Sequence, residues 1–297
     1  PRMIRENLFD PEFVTAYAHA FAHRTPLPAE LAHTHGATVA SAVYPAGIID
    51  DFLGPEHALR VQHELHLPAL AYLPRTSDLY DFHQTEGLDA LPPLRFPAIH
   101  ALDRELYAPR FLAIMQRLLL RPLSLDKRTI TAQRYRQGDF LLCHDDRLES
   151  RRIAFILYFP APDAPALHGG RLLLMRSDET GRPVPGHFDH VTPRFNRAAF
   201  FEVSRSSFHQ VEQVHSSDTP RYSIICWFHD ALPAPPLLLP APAPALSPAV
   251  LELLRKNPAK AIPVILRRLQ QKDAEWRRAQ AGLNAGWKDV MERNYYK

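Results

Sequence analysis

A mainly β fold with flanking helices, its strands rolled into a jelly-roll core and followed by a C-terminal helical extension, is predicted by three observations. From Ile130 onward short apolar runs are separated by Gly- and Pro-containing turns, such as Gly169-Gly170 ahead of Arg171 to Met175 and Pro183 to Gly186. Ahead of that region, four stretches carry apolar residues at helical spacing. After Asp230 the composition changes to Pro, Ala and Leu, and then to a basic, helix-patterned segment.

The 297 residues, 46% hydrophobic and 10% aromatic, suffice for one large core plus an extension. Three segments are expected: a folded domain over residues 1–231 made of N-terminal helices and the jelly roll, a Pro/Ala-rich linker over 232–248, and a basic helical extension over 249–297. No apolar run is long enough to cross a bilayer and no secretory leader is recognisable, so a soluble, cytoplasmic protein without membrane contact is expected. Two cysteines, Cys143 and Cys226, are too few for a disulfide framework. The net charge of +3 does not by itself indicate a nucleic-acid partner.

In chain order, residues 10–24 read as an amphipathic helix capped by Asp10, with Phe13, Ala16, Tyr17, Ala20 and Phe21 on one stripe. A polar, His-containing loop is expected from Leu27 to Thr38, then an extended apolar run from Ala40 to Leu53. Gly54-Pro55-Glu56 opens a helix to about His66. His63 and His66 lack a paired carboxylate at ligand spacing and read as structural or surface residues. Ala69 to Leu73 looks extended. Arg75 to Glu86 is polar with Tyr80 and Phe82 interspersed, compatible with either a lid over a binding site or a solvated connector. Helices follow at Ala98–Tyr107 and Pro109–Leu120, whose apolar stripes suit packing on the outside of a sheet.

Thr131 to Phe159 is the centre of the functional reading. Two strand-like runs flank a polar turn, a hairpin pattern, and at its mouth stand His144 and Asp146, two positions apart in an extended segment and so on one side of it. One imidazole and one carboxylate are two thirds of a facial triad, the set that holds Fe(II) on one face and leaves the other open. The third ligand must be another His. Downstream, Phe200 to Val203 reads as a strand, Ser204 to Ser207 as a turn, and Phe208-His209-Gln210-Val211 as the start of the next strand, which places a distant His, His209, in the order such a site needs. Arg221 then opens an apolar run to Phe228. A keto acid that chelates iron at one end needs a buried, permanently charged fork at its other carboxylate, and Arg provides two parallel hydrogen bonds in that geometry. By strand alternation, Asp145 should face away from the metal.

Leu141 to Phe159 resembles the core motif of Fe(II)/2-oxoglutarate-dependent prolyl hydroxylases, in particular the eukaryotic branch acting on a ribosomal protein at the decoding centre. Ser77-Asp78-Leu79-Tyr80-Asp81-Phe82-His83-Gln84, Phe200 to Val203, Ser207 to Val211, Arg221 to Ile224 and Trp227-Phe228-His229 carry the same resemblance, which spans roughly residues 45–230. It implies a double-stranded β-helix, iron on His144, Asp146 and His209, and 2-oxoglutarate held by Tyr158 and Arg221 with Tyr135 as a further contact. It also implies O2 as oxidant, ascorbate as a supporting reductant, and hydroxylation of a prolyl residue in a protein or peptide, ribosomal in the branch resembled. Those eukaryotic enzymes carry a second, non-catalytic barrel, for which the 67 residues after position 230 are too few.

Three functions remain in competition on sequence alone: a protein prolyl hydroxylase acting on a translation component, the same chemistry on a free amino acid, peptide or biosynthetic intermediate, and a non-catalytic oxygen- or 2-oxoglutarate-sensing binding protein. Residues 249–297 hold eleven Lys or Arg against five Asp or Glu. That surplus suits contact with RNA or an acidic partner, and it equally suits the solvated face of helices docked through Leu251, Leu254, Ile262, Ile265, Leu266 and Leu269.

Overall fold

Alternation along the strands and 3.6-residue stripes along the helices sort the side chains into an outer core, an interior core and a smaller cluster of Phe82, Tyr135, Val211 and Val214. The protein is described by a computed structural model covering residues 2–40, 43–148, 150–161, 168–217 and 219–231. The linker and basic extension expected at 232–248 and 249–297 lie outside the described residues.

Twelve strands, β1 Ala37–Ala40, β2 Ala46–Ile49, β3 Leu73–Ser77, β4 Tyr80–Gln84, β5 Leu123–Tyr135, β6 Phe140–His144, β7 Arg151–Tyr158, β8 Leu172–Ser177, β9 Pro183–Val191, β10 Arg197–Glu202, β11 His209–Val211 and β12 Arg221–Asp230, form one antiparallel sheet. Its order is β1-β2-β10-β7-β12-β5-β4-β6-β11-β8-β9, with β3 paired to β4. The sheet curls into the nearly closed, jelly-roll-like barrel expected from the sequence. Among the described residues, five α-helices accompany it: α1 Pro11–His23, α2 Ala29–His35, α3 Pro55–Leu65, α4 Pro97–Leu106 and α5 Pro109–Leu119.

The outer core joins helices to sheet. α1 starts where the Asp10 carboxylate accepts from the Glu12 amide at 2.8 Å, with Pro11 in its first turn, and it buries Phe13, Tyr17, Ala20 and Phe21. α4 buries Ile99, Leu102 and Leu106, and α5 buries Phe111, Leu112, Met115 and Leu118. These stripes meet the outward face of the central strands: Ile153, Phe155 and Leu157 of β7, Ala198 and Phe200 of β10, and Ile224, Cys226 and Phe228 of β12. Intervening residues form the interior core, with Ala154, Ile156 and Tyr158 of β7, Ala199 and Phe201 of β10, and Trp227 of β12. Gly47 lies opposite Phe200 in the ladder, and a Cβ there would come within 2.2 Å of that ring. Only glycine lets the outer core close at this point.

The structure corrects several local expectations. β6 and β7 do not form a hairpin: β6 pairs with β4 and β11, whereas β7 pairs with β10 and β12. The polar turn between them is a crossing from one half of the barrel to the other, aided by a left-handed Asp146, φ 58°. Residues 27–38 contain helix α2, terminated by a left-handed Gly36 and followed directly by β1. The extended run at 40–53 is the end of β1 and all of β2, which pair with each other. Ala69 lies in a turn, Leu70 in a bend, Ala71 and Tyr72 in neither helix nor strand, and only Leu73 of that run is in a strand. Pro183 to Gly186 begins β9, a strand at one end of the sheet order that pairs only with β8, where missing amide donors are tolerated. Arg75 to Glu86 is neither free lid nor solvated connector over most of its length, because β4 is inserted between β5 and β6 while β3 stays exposed on its outer side. Both cysteines are free thiols.

α4 has no side-chain cap of its own, and its first amides are served from α3. The buried carboxylate of Glu64 accepts from Ala98 and Ile99, each at 2.8 Å. Two charge-assisted bonds at the positive end of a helix dipole make this a tertiary cap. Glu64→Gln can accept with only one atom and turns an amide donor toward the other N–H, so a loss of about 1–3 kcal/mol is expected. Urea denaturation at neutral pH measures it, and an unchanged midpoint would show that the cap contributes nothing.

Candidate active site

His144 and His209 are brought together by strand register. β6 and β11 pair antiparallel with His209 directly opposite His144, and the two rings lie 4.1 Å apart between centroids. Each ring is oriented by its own backbone: His144 Nδ1 is 2.9 Å from the Leu142 carbonyl, and His209 Nδ1 is 2.9 Å from the Ser207 carbonyl. A carbonyl only accepts, so Nδ1 carries the proton in both rings and Nε2 presents a lone pair.

Asp146 completes the group from the turn beyond β6. Its Oδ1 is 3.6 Å from His144 Nε2, and its Oδ2 is 3.5 Å from His209 Nε2. The three residues have ligand atoms within 4.8 Å of one another and are the metal-competent cluster found among the described residues. Nitrogen and oxygen ligands bound at right angles at about 2.1 Å stand about 3 Å apart, so this donor set needs little adjustment to hold a first-row divalent ion. Burial and the neighbouring His209 ring push His144 down to about 4, leaving it neutral and able to ligate. Burial would raise the Asp146 carboxyl, but the two imidazoles beside it and a hydrogen bond from Trp227 outweigh it, so the group stays below its ordinary range.

Asp145, expected to face away from the metal, is not part of this group. Its carboxylate accepts from the Arg147 amide at 3.1 Å, an Asx turn in a segment that is no longer a strand. His63 and His66 lie elsewhere, and His66 packs on the outer-face residue Tyr222 with centroids 4.3 Å apart. His229 sits with its ring nitrogens 3.0 Å from Thr129 Oγ1 and 3.1 Å from Ser150 Oγ.

Arg221, Tyr135 and Tyr158 converge through the same ladder logic. Arg221 faces Tyr135 across β12 and β5, and Ser223, on the same face as Arg221, is opposite Tyr158 on β7. The guanidinium is 4.8 Å from the Tyr135 ring centroid and 5.0 Å from that of Tyr158, with only 1% of the residue exposed. Nη1 donates to Ser223 Oγ at 3.2 Å, while among the described residues Nε has no hydrogen-bond partner, and neither does the Tyr158 hydroxyl. No acidic side chain among the described residues pairs with Arg221. A buried cation without an acid and a buried hydroxyl without a partner are costly unless an anion joins them, so the donor set fits a carboxylate. Burial raises the Tyr158 hydroxyl, with the Arg221 charge in opposition, so it remains a donor.

Tyr135 has a different position from the other two. Its hydroxyl donates to Gln133 Oε1 at 3.2 Å, and Gln133 Nε2 donates onward to Gln84 of β4 at 3.2 Å. Its ring is stacked on Phe82 of β4, centroids 5.0 Å apart. It therefore flanks the guanidinium with a ring face, and its hydroxyl is committed to the β4 hairpin.

Sequence reasoning assigned no role to Trp227, Arg151 or Ser223. Trp227 Nε1 donates to Asp146 Oδ2 at 3.1 Å, and the Arg151 guanidinium lies 3.9 Å from the centre of the indole. The available signal was alternation: Arg221, Ser223, Ile225 and Trp227 occupy every second position of one strand and must share a face.

Known proteins agree with this architecture. Residues 130–229 match the profile of the 2OG-Fe(II) oxygenase superfamily. The chain is 36% identical over 212 residues to the prolyl 3-hydroxylase OGFOD1 of Xenopus laevis, a match that takes in 71% of this chain and 40% of that protein. A shorter likeness, 49% over 51 residues, links 17% of this chain to 5% of the paired amphipathic helix protein Sin3b of Mus musculus. Among solved structures, a Trichoplax adhaerens prolyl hydroxylase in complex with a hypoxia-inducible-factor degradation-domain peptide superposes with a TM-score of 0.50 at 18% identity, over 74% of this chain and 90% of that one, a likeness of fold. The chain spans about two fifths of the length of the frog relative. From Ile130 to His229, then, it carries a 2OG-Fe(II) oxygenase domain.

Proposed function

We propose that the chain is an Fe(II)- and 2-oxoglutarate-dependent dioxygenase that hydroxylates a prolyl residue of a protein, with a ribosomal or other translation component as substrate. The observation that carries the reading is the convergence, on one barrel interior, of a three-ligand group with a buried Arg that has no acid partner among the described residues. The kinship with a prolyl 3-hydroxylase at 36% identity supports the choice of a prolyl substrate.

His144, Asp146 and His209 would hold the iron, and Arg221 with Tyr158 would hold the distal carboxylate of 2-oxoglutarate. Iron and 2-oxoglutarate together supply the oxidising chemistry, coupling reduction of O2 and decarboxylation to succinate with insertion of one oxygen atom into a C–H bond. The protein's own contribution is positional. Two imidazoles fixed by backbone carbonyls and one carboxylate define a face, which leaves the opposite positions for cosubstrate and oxygen. Arg221, flanked by two rings and tied to Ser223, is held in place before the cosubstrate arrives, so little freedom is lost on binding. The apolar interior around Ile156, Leu174 and Phe201 limits water at the reacting centre. Ascorbate is expected to sustain turnover by keeping iron reduced.

Incubation of the purified protein with Fe(II), 2-oxoglutarate, ascorbate and cell extract should add one oxygen atom to a proline of a ribosomal or translation protein, located by peptide mass spectrometry. Turnover of 2-oxoglutarate with free proline alone, and no gain on any protein, would overturn the choice of substrate.

His144→Ala, Asp146→Ala and His209→Ala should each abolish 2-oxoglutarate decarboxylation while circular dichroism stays that of the wild type. Near-wild-type turnover in any of them would remove that residue from the ligand set. Arg221→Lys should weaken 2-oxoglutarate binding by about tenfold or more with little change in metal affinity, since a point charge replaces a two-bond fork. Tyr158→Phe should act in the same direction by about 1 kcal/mol. Calorimetric titration of the Mn(II)-loaded protein separates the two effects, and equal affinities would move the distal-carboxylate site elsewhere.

A pH dependence follows from His144. Its folded value, about 4, lies below the ordinary 6.5, so between those limits the unfolded chain binds a proton that the folded chain does not. Stability then rises with pH across that window and is lost as pH falls through it. In metal-free protein, the urea midpoint should fall between pH 6.5 and pH 5, and His144→Gln should flatten that fall. Parallel curves for wild type and variant would show that this imidazole titrates normally.

A further inference from the structure

His144 and His209 are fixed by paired strands and by carbonyls two residues back, but Asp146 has neither support. It lies beyond the end of β6, in a segment without ladder partners, and its backbone is left-handed at φ 58°, an unfavourable conformation for a residue with a side chain. A carboxylate on such a turn can rotate about two side-chain bonds. Yet its two oxygens are each held from behind. Oδ2 accepts from Trp227 Nε1 at 3.1 Å, and Oδ1 is 3.5 Å from Arg151 Nη1.

These two contacts are one device. The Arg151 guanidinium lies over the indole face, 3.9 Å from the centroid, so Trp227 fixes the plane of Arg151 while Arg151 covers Trp227. Trp227 belongs to β12 and Arg151 opens β7, adjacent strands of the half-barrel that does not carry β6. An indole N–H can only donate, and a guanidinium cannot lose its proton near neutrality. The pair therefore presents a fixed set of donors at every working pH.

We propose that Trp227 and Arg151 are positioning residues that clamp the Asp146 carboxylate and set the affinity of the site for its metal. The inference rests on the reading of His144, Asp146 and His209 as ligands. Trp227 removes one lone pair of Oδ2 from competition and Arg151 restrains Oδ1, so that the carboxylate meets a divalent ion as a single, directed ligand. The clamp also couples the two halves of the barrel, because the ligand comes from the turn after β6 and its restraint from β7 and β12.

The test is direct binding of Co(II) to the metal-free protein, followed by its visible absorption in the absence of 2-oxoglutarate. Trp227→Phe keeps a ring beneath Arg151 and deletes the donor; Arg151→Gln keeps the indole and deletes the charge. Thermal unfolding is recorded for both, so that a packing defect in one leaves the other to decide. Each should bind Co(II) about 10–100-fold more weakly than wild type, the size of effect seen when an outer partner of a metal ligand is removed. Arg60→Gln, at an exposed position of α3, should leave Co(II) affinity unchanged and His144→Ala should abolish it. Wild-type affinity in both folded clamp variants, with His144→Ala inactive in binding, would overturn the clamp. Wild-type affinity in His144→Ala would overturn the ligand assignment itself, and the clamp with it.

Discussion

A permanent positive charge inside a barrel, with no acid among the described residues to neutralise it, is the constraint on which the rest of this structure depends. Arg221 is 1% exposed, and among the described residues its side chain donates to a hydroxyl, that of Ser223. Such a charge destabilises a fold by several kcal/mol unless the surroundings compensate. Two aromatic faces, Tyr135 and Tyr158, compensate in part by offering electron-rich surfaces at 4.8 and 5.0 Å. The remainder is what an incoming carboxylate would supply, so the same feature that weakens the ligand-free fold becomes its affinity.

Holding that charge requires stable ladders on both sides of β12, and the outer core provides them. β12 is central in the sheet order, flanked by β5 and β7, and its outward residues Ile224, Cys226 and Phe228 are covered by the helices. Tyr107, just after α4, extends its hydroxyl to the Trp227 and Thr129 carbonyls, at 3.1 and 3.0 Å, linking helix layer and sheet at the level of the interior indole. The helical layer thus acts on the site through the backbone of one strand, with no helical side chain in the metal-competent group.

Much of this was legible in the sequence, because alternation and stripe are local properties. The four longer helices and most barrel strands follow from spacing alone, and Arg221 and the two His residues lie on strands that spacing indicates, whereas a role for Tyr158 was implied only by the family resemblance. Strand partnership was not legible. Ile153 to Tyr158 follows a turn after Phe140 to His144 and has the pattern of its hairpin mate, yet the runs join different halves of the barrel, since pairing is decided by distant strands such as β10 and β12. Pro183 and Pro185 look like a turn because proline ends most strands, and only a strand's place at the end of a sheet tells otherwise. The commitment of the Tyr135 hydroxyl to Gln133 and Gln84 depends on β4 lying beside β5, which again joins residues about fifty positions apart.

The misread hairpin matters more than a strand assignment, because it explains why the ligands come from where they do. In a hairpin, Asp146 would sit at an exposed tip, held by its own two strands and remote from any third element. In the observed crossing, the chain leaves β6 and enters β7 through a short left-handed turn, which carries the carboxylate across the seam between the barrel halves. Only at a seam can a side chain from one half face a histidine from the paired strands β6 and β11 while its far side meets an indole from β12. A facial group needs three donors converging from different directions, and consecutive residues on one flat strand cannot supply them. The crossing resolves this geometric conflict, and a left-handed backbone at a residue with a Cβ is tolerated there because its carboxylate gains partners on both sides.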